Sequence, residues 1–192
     1  MWVAPVDEKK QPIREKEELV SCDTVLFSVG LMPENELTRK AGIELDPITN
    51  GPSVNQYMQT SAPGVFACGN VVHVNDLVDN VSAESETAGR YAARYAMGTL
   101  GKADGRVKCV TGSNVRYLCP HHIDKGAQSE SVTLYFRVLQ PQLGVKLVAR
   151  CGDEVIAQSK EFRVNPGEMN HIVIDTAKLS GSEVTVDVVK ED

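Results

Sequence analysis

No two glycines in this 192-residue sequence stand two positions apart. A G-x-G-x-x-G loop, whose backbone amides hold the pyrophosphate of a dinucleotide, is therefore missing throughout. There is no C-x-x-C either. The five cysteines, Cys22, Cys68, Cys109, Cys119 and Cys151, are odd in number and widely spaced. That argues against a disulfide framework and for free thiols in a reducing compartment. No apolar run approaches the roughly 20 residues of a membrane span, so no membrane partner is expected. The opening MWVAPVDEKK has no basic region followed by an apolar one, so no signal peptide is read and a cytoplasmic location is expected. No basic stripe interrupts a net charge of -6, which counts against nucleic acid as a partner. Internal repeats and low-complexity tracts are absent. What remains, 42% hydrophobic and 24% charged, is an ordinary globular composition with room for one domain or two small ones.

Two kinds of pattern share the chain. Residues 1–29 read as short strands and turns: Met1 to Val6 is a possible strand end and Asp7 to Gln11 a polar turn. "TVLFSVG", Thr24 to Gly30, is a continuous apolar run suited to a strand covered on both faces. "ENELTRKAG" is a short helix ending at Gly42, and a turn-rich connector leads to a second short buried strand, "VFACG". From Asp79 to Met97 the pattern is helical, with Asp79 or Ser82 as cap. Ala88, Gly89, Ala92, Ala93 and Ala96 give this helix a small-residue face suited to close packing on a sheet, while Glu86, Arg90 and Arg94 form a solvated one. "GTLGKADGR", Gly98 to Arg106, has the composition of a linker. Beyond it the period becomes two: Val132, Leu134, Phe136 and Val138 alternate with Thr133, Tyr135 and Arg137. "GVKLVAR", "EVIAQSKEFRV", "NHIVID" and "EVTVDVV" continue the strand signal, separated by turn residues. Residues 107–192 are thus expected to form a small all-β antiparallel sandwich.

The two halves of the first hundred residues carry a resemblance. "CDTVLFSVGLMPENEL" followed by "TSAPGVFACGNVVHVNDLVDNVSAESETAGRYAA" resembles the pyridine nucleotide–disulfide oxidoreductase family. In its first signature, Ser28, Gly30, Pro33 and Asn35 mark the return from the NAD(P) domain to the FAD domain. In its second, Thr60, Val65, Phe66, Ala67, Gly69 and Asn70 mark the ribityl site of the flavin. The resemblance implies an α/β fragment of a Rossmann-like FAD domain over residues 30–105, with residues 1–29 the last strands of the NAD(P) domain. It implies FAD and NAD(P) as cofactors of the complete enzyme, with Gly69, Asn70, Val81 and Ser82 on the flavin wall. Val81 and Ser82 would start the helix whose N-terminus faces the flavin ring. The family usually has an acid where this sequence has Asn70; the amide oxygen still accepts a hydrogen bond, but an uncharged one of roughly half the strength.

The missing glycine loops imply a C-terminal piece of a longer enzyme. The isolated chain is expected neither to hold FAD nor to catalyse, and no catalytic residue is assigned to it. Its partner would be the N-terminal part of the same enzyme or another subunit, and self-association is expected because strand "VFACG" lacks its sheet neighbours. A second reading makes the chain a non-catalytic assembly module whose β domain docks another subunit. The remaining candidates take plainer readings. "LCPHHID", with Cys119, His121 and His122, reads as a polar turn and not a metal site. Cys68 reads as a small core residue, His73 as a loop histidine, and Asp76 and Asp79 as capping or solvated carboxylates.

Overall fold

The computed structural model describes residues 1–9, 11–28, 30–126 and 131–191. They form two compact units, Met1–Leu31 and Met32–Asp192.

The first unit is small. Strands β1 (Trp2–Val3) and β2 (Glu18–Leu19) pair antiparallel, and Val6 bridges Pro12. The polar turn expected between them is held by Asp7, whose carboxylate accepts the amides of Lys9 and Gln11. "TVLFSVG" forms no strand over its described residues; Val29 lies outside them. Leu26 is 93% and Phe27 79% exposed. An apolar run becomes a strand only where neighbours take its amides and carbonyls, and none does among the described residues.

The second unit opens with helix α1 (Glu36–Lys40), followed by Gly42 in the left-handed conformation. Single bridges then punctuate the connector: Leu45 to Pro52, Val54 to Thr60 and Gln59 to Phe66. "VFACG" is therefore not a strand; only Phe66 bridges, and it does so antiparallel to its own connector. No parallel sheet forms among the described residues of this segment. Helix α2 (Val78–Ala96) follows. Ala88 is buried against Val54, Met58, Val72 and Cys119, whereas Gly89, Ala93 and Ala96 of the small-residue face are exposed.

Among the described residues, eight strands complete the unit. One sheet joins β3 (Gly105–Thr111), β5 (His122–Lys125), β7 (Gln142–Cys151), β8 (Glu154–Val164) and β10 (Glu183–Lys190) in the order β5-β3-β10-β7-β8. The other joins β4 (Val115–Cys119), β6 (Ser131–Val138) and β9 (Asn170–Asp175) in the order β4-β6-β9. Their inward residues make one core. Val132, Leu134, Phe136 and Val138 of β6 join Val145, Leu147 and Ala149 of β7 and Val184, Val186 and Val188 of β10. The alternation read from the sequence lies where it was expected. The pairing departs from a purely antiparallel arrangement in one place: β10 pairs β3 in parallel, Val184 opposite Cys109. "LCPHHID" is not a free turn, because it ends β4 and begins β5.

Candidate functional site

Gly69 and Asn70 lie in a single 3-10 turn, Gly69–Val71, directly ahead of the loop that enters α2. Gly69 is buried with φ +71, a conformation that costs any other L-residue about 1–2 kcal/mol. A Cβ there would sit 3.2 Å from Cγ1 of Val81, so the turn is pressed onto the helix. Asn70 is exposed. Its Oδ1 accepts the amide of Asn75 at 3.0 Å, and its Nδ2 makes no hydrogen bond among the described residues.

Helix α2 begins at Val78, one residue before the helical pattern read from Asp79 and about one turn before the start at Val81 that the resemblance implied, and neither Asp79 nor Ser82 caps it. The residue in the cap position is Leu77, which offers no side-chain hydrogen bond. The amides left outside the helical ladder are those of Val78, Asp79 and Asn80. Val81 and Ser82 fall in the following turn, Val81 half-buried against Gly69 and Ser82 exposed.

The group that organises the turn is one the sequence reading missed. Glu84, 4% exposed, accepts the Gly69 amide through Oε2 at 2.7 Å. Its Oε1 lies 2.6 Å from Nε2 of His73, which is 1% exposed. His73 is thus no surface loop histidine. Its Nδ1 lies 3.3 Å from the Tyr117 hydroxyl on β4. Burial pushes the Tyr117 phenol up to about 12, so it stays protonated as a donor. A His73 tautomer with its hydrogen on Nε2 serves both contacts, accepting from Tyr117 and donating to Glu84. The available signal was positional: Glu84 precedes buried Ala88 by one turn on the same helix face.

A second polar hub stands beside the first. Asp76 accepts from the Arg137 guanidinium of β6 and from the Met169 amide. Arg137 also donates to the carbonyls of Val74, at 3.0 Å, and Pro166. Asp79 is exposed in the first turn of α2. Cys68 contacts Ser85 Oγ at 3.5 Å.

The two family signatures meet through Asn35. It is 1% exposed, and its Nδ2 donates to the carbonyls of Asn50 and Val71, both at 2.9 Å. Gly51 permits the close approach this needs, since a Cβ there would fall 1.8 Å from the Val72 carbonyl oxygen. The connector is also fastened to the β sheets. Val54 donates to His121 Nδ1 at 3.1 Å, and Gln56 exchanges two hydrogen bonds with the Asp124 backbone. Burial lowers His121, and it lowers His122 to about 4. The Cys119 thiol is pushed well up by burial. Among the described residues no three metal-ligating side chains converge.

The fit to a flavin is therefore partial. Glu84 has taken the Gly69 amide, so the Asn70 side chain offers a ribityl chain its amide NH2, without a hydrogen bond among the described residues, and its spare acceptor capacity. The uncapped amides of Val78, Asp79 and Asn80 suit the electron-rich edge of a flavin ring.

Residues 3–92 match the family described as pyridine nucleotide-disulphide oxidoreductase. Residues 3–92 are thus similar to this family of oxidoreductases, whose complete enzymes use FAD and NAD(P). The nitric oxide reductase FlRd-NAD(+) reductase of Citrobacter koseri is 31% identical over 84 residues, covering 44% of this chain and 22% of the relative. The protein of the same name from Klebsiella pneumoniae subsp. pneumoniae is 34% identical over 64 residues, 33% of this chain and 16% of the relative. That of Salmonella typhi is 30% identical over 79 residues, 41% and 20%. The chain thus spans about a fifth of the length of the curated relatives it matches. No solved structure matches it. No helix among the described residues is long and apolar enough to cross a membrane.

Proposed function

We propose that this chain is the C-terminal part of an FAD-dependent, NAD(P)-linked oxidoreductase and supplies one wall of its flavin site. In the complete enzyme hydride would pass between nicotinamide and flavin, because the cofactors carry that chemistry. The observation that carries the reading is the left-handed Gly69 turn with exposed Asn70, leading into an uncapped helix inside the family-matched segment. Asn70 would hydrogen-bond the ribityl chain. Gly69 shapes the turn, Val81 packs against it, and Ser82 lies exposed on the same helix. The amides of Val78, Asp79 and Asn80 would stabilise negative charge on the reduced ring. Residues 30–105 would complete a Rossmann-like FAD domain only with strands and glycine loops from elsewhere in the enzyme or from a partner subunit.

The chain alone is proposed to be unable to hold FAD or to catalyse, because no G-x-G loop is present to cradle the pyrophosphate. Purified chain should carry no visible flavin absorption band; a stoichiometric band would overturn this. The free cysteines suit a cytoplasmic site for the enzyme.

One observation favours the alternative, a docking role for the β sheets. Strand β8 is a sheet edge of 11 residues whose Phe162 is 85% exposed. If the chain self-associates there, Phe162→Glu should lower the mass measured by light scattering; an unchanged assembly removes this reading.

A further inference from the structure

We propose that Glu84 is a positioning residue for the flavin-facing turn, and that the β sheets brace that turn through His73 and Tyr117. The inference rests on the flavin reading for its functional meaning, but the geometry behind it needs no ligand.

The turn closes on itself through the Val72 and His73 amides, which donate to the Gly69 carbonyl, and through the Asn75 amide, which donates to Asn70 Oδ1. Asn70 is exposed, and the loop from His73 to Leu77 has no regular structure. Further holds come from elsewhere in the fold. Glu84 grips the Gly69 amide from α2 at 2.7 Å. A carboxylate at 4% exposure is expensive to keep unless its remaining lone pairs are used, and His73 fills that need at 2.6 Å. His73 in turn rests on Tyr117 of β4. Four groups thus run in sequence from the turn to the sheet: Gly69 amide, Glu84 carboxylate, His73 imidazole, Tyr117 hydroxyl. Asp76 provides a separate hold, tied to Arg137 of β6 and to the Met169 amide. Both anchors lie in the strand-rich part of the unit, and both act on the segment between Gly69 and the start of α2. The strand-rich region is therefore more than an appendage: it sets the conformation from which Asn70 and the first amides of α2 are presented.

A charged acceptor on a glycine amide is a choice with consequences. A neutral acceptor of the same shape would keep the hydrogen bond at reduced strength, whereas an apolar side chain of similar volume would remove it.

Amide hydrogen exchange on the full chain, read residue by residue, tests this with Glu84→Gln and Glu84→Leu. Glu84→Leu should speed exchange at Gly69 by about tenfold or more, while amides of the β6 and β10 core keep their protection. Glu84→Gln should restore most of the Gly69 protection, because its side-chain oxygen still accepts. Equal exchange at Gly69 in Glu84→Leu and the parent would overturn the proposal. So would a rise shared uniformly with the β6 and β10 amides, which would make Glu84 a general stabiliser. No flavin enters the measurement, so its failure is separate from failure of the flavin assignment, which the absorption band reads.

Discussion

His73→Leu would leave the Glu84 carboxylate in place with its charge and remove the imidazole beside it. The two side chains are 1% and 3% exposed, so water cannot replace the lost partner without opening the fold. Neutral His73 donates one hydrogen bond to Glu84, and leaving a buried charged acceptor short of that donor costs about 1.5–3 kcal/mol. The upper end applies here, about 3 kcal/mol, because both side chains are buried. With a urea dependence of about 2 kcal/mol/M, the midpoint should fall by roughly 1.5 M at constant slope. The double variant His73→Leu/Glu84→Leu removes the stranded charge as well. It should be more stable than His73→Leu alone, although two polar groups have been lost, because apolar replacement of a whole buried pair is far cheaper than breaking it. Urea unfolding followed by circular dichroism on the four proteins gives the complete cycle. A loss below about 1 kcal/mol for His73→Leu would refute the reasoning. So would a double variant whose cost is the sum of the two singles.

Other expectations follow from individual residues. Phe136 is fully buried in the shared core of the two sheets, so Phe136→Ala should cost about 3–5 kcal/mol in the same urea assay; a loss under 1 kcal/mol would contradict the packing. Gly69→Ala forces a side chain into φ +71 and against Val81, and should cost about 1–2 kcal/mol, with the largest shifts in an amide spectrum confined to residues 68–75 and 81–84. His122 is lowered to about 4, chiefly by burial and secondarily by Arg106. Its folded state resists protonation while the unfolded chain takes a proton near 6.5, so this group's contribution is intact above pH 6.5 and is lost as pH falls to about 4. His122→Gln should flatten that part of the stability–pH curve, and an imidazole titration midpoint near 6.5 in the folded protein would contradict it.

Period two made the core of the strand-rich region legible. Val132 through Val138 on one strand and Val145 through Ala149 on the next need no tertiary knowledge to be assigned an inward face. Strands β3 to β5 escaped because their pattern is weak. In β3 only Val107 is fully buried among charged and half-buried neighbours, and Pro120 with two histidines made the junction of β4 and β5 look like a turn. "TVLFSVG" was over-read for the opposite reason: hydrophobicity alone suggested a strand, but strand formation depends on neighbours that the sequence pattern cannot supply. The turn at Gly69 and Asn70 was visible as a motif. Its supports were not. Glu84 and His73 are eleven positions apart and meet only after α2 folds back on the turn, and Tyr117 joins them from a strand the sequence reading lacked.

The chain is proposed to carry a flavin-facing surface without the means to retain the cofactor. Titrating excess FAD into the full chain while recording backbone and side-chain amide resonances tests it most directly. Weak, fast-exchanging shifts are expected at the Asn70 side chain and at the amides of Val78, Asp79 and Asn80, with no stoichiometric complex. Tight stoichiometric binding would contradict the claim from one side. Shifts confined to other surfaces, or none at Asn70 and the start of α2, would contradict it from the other.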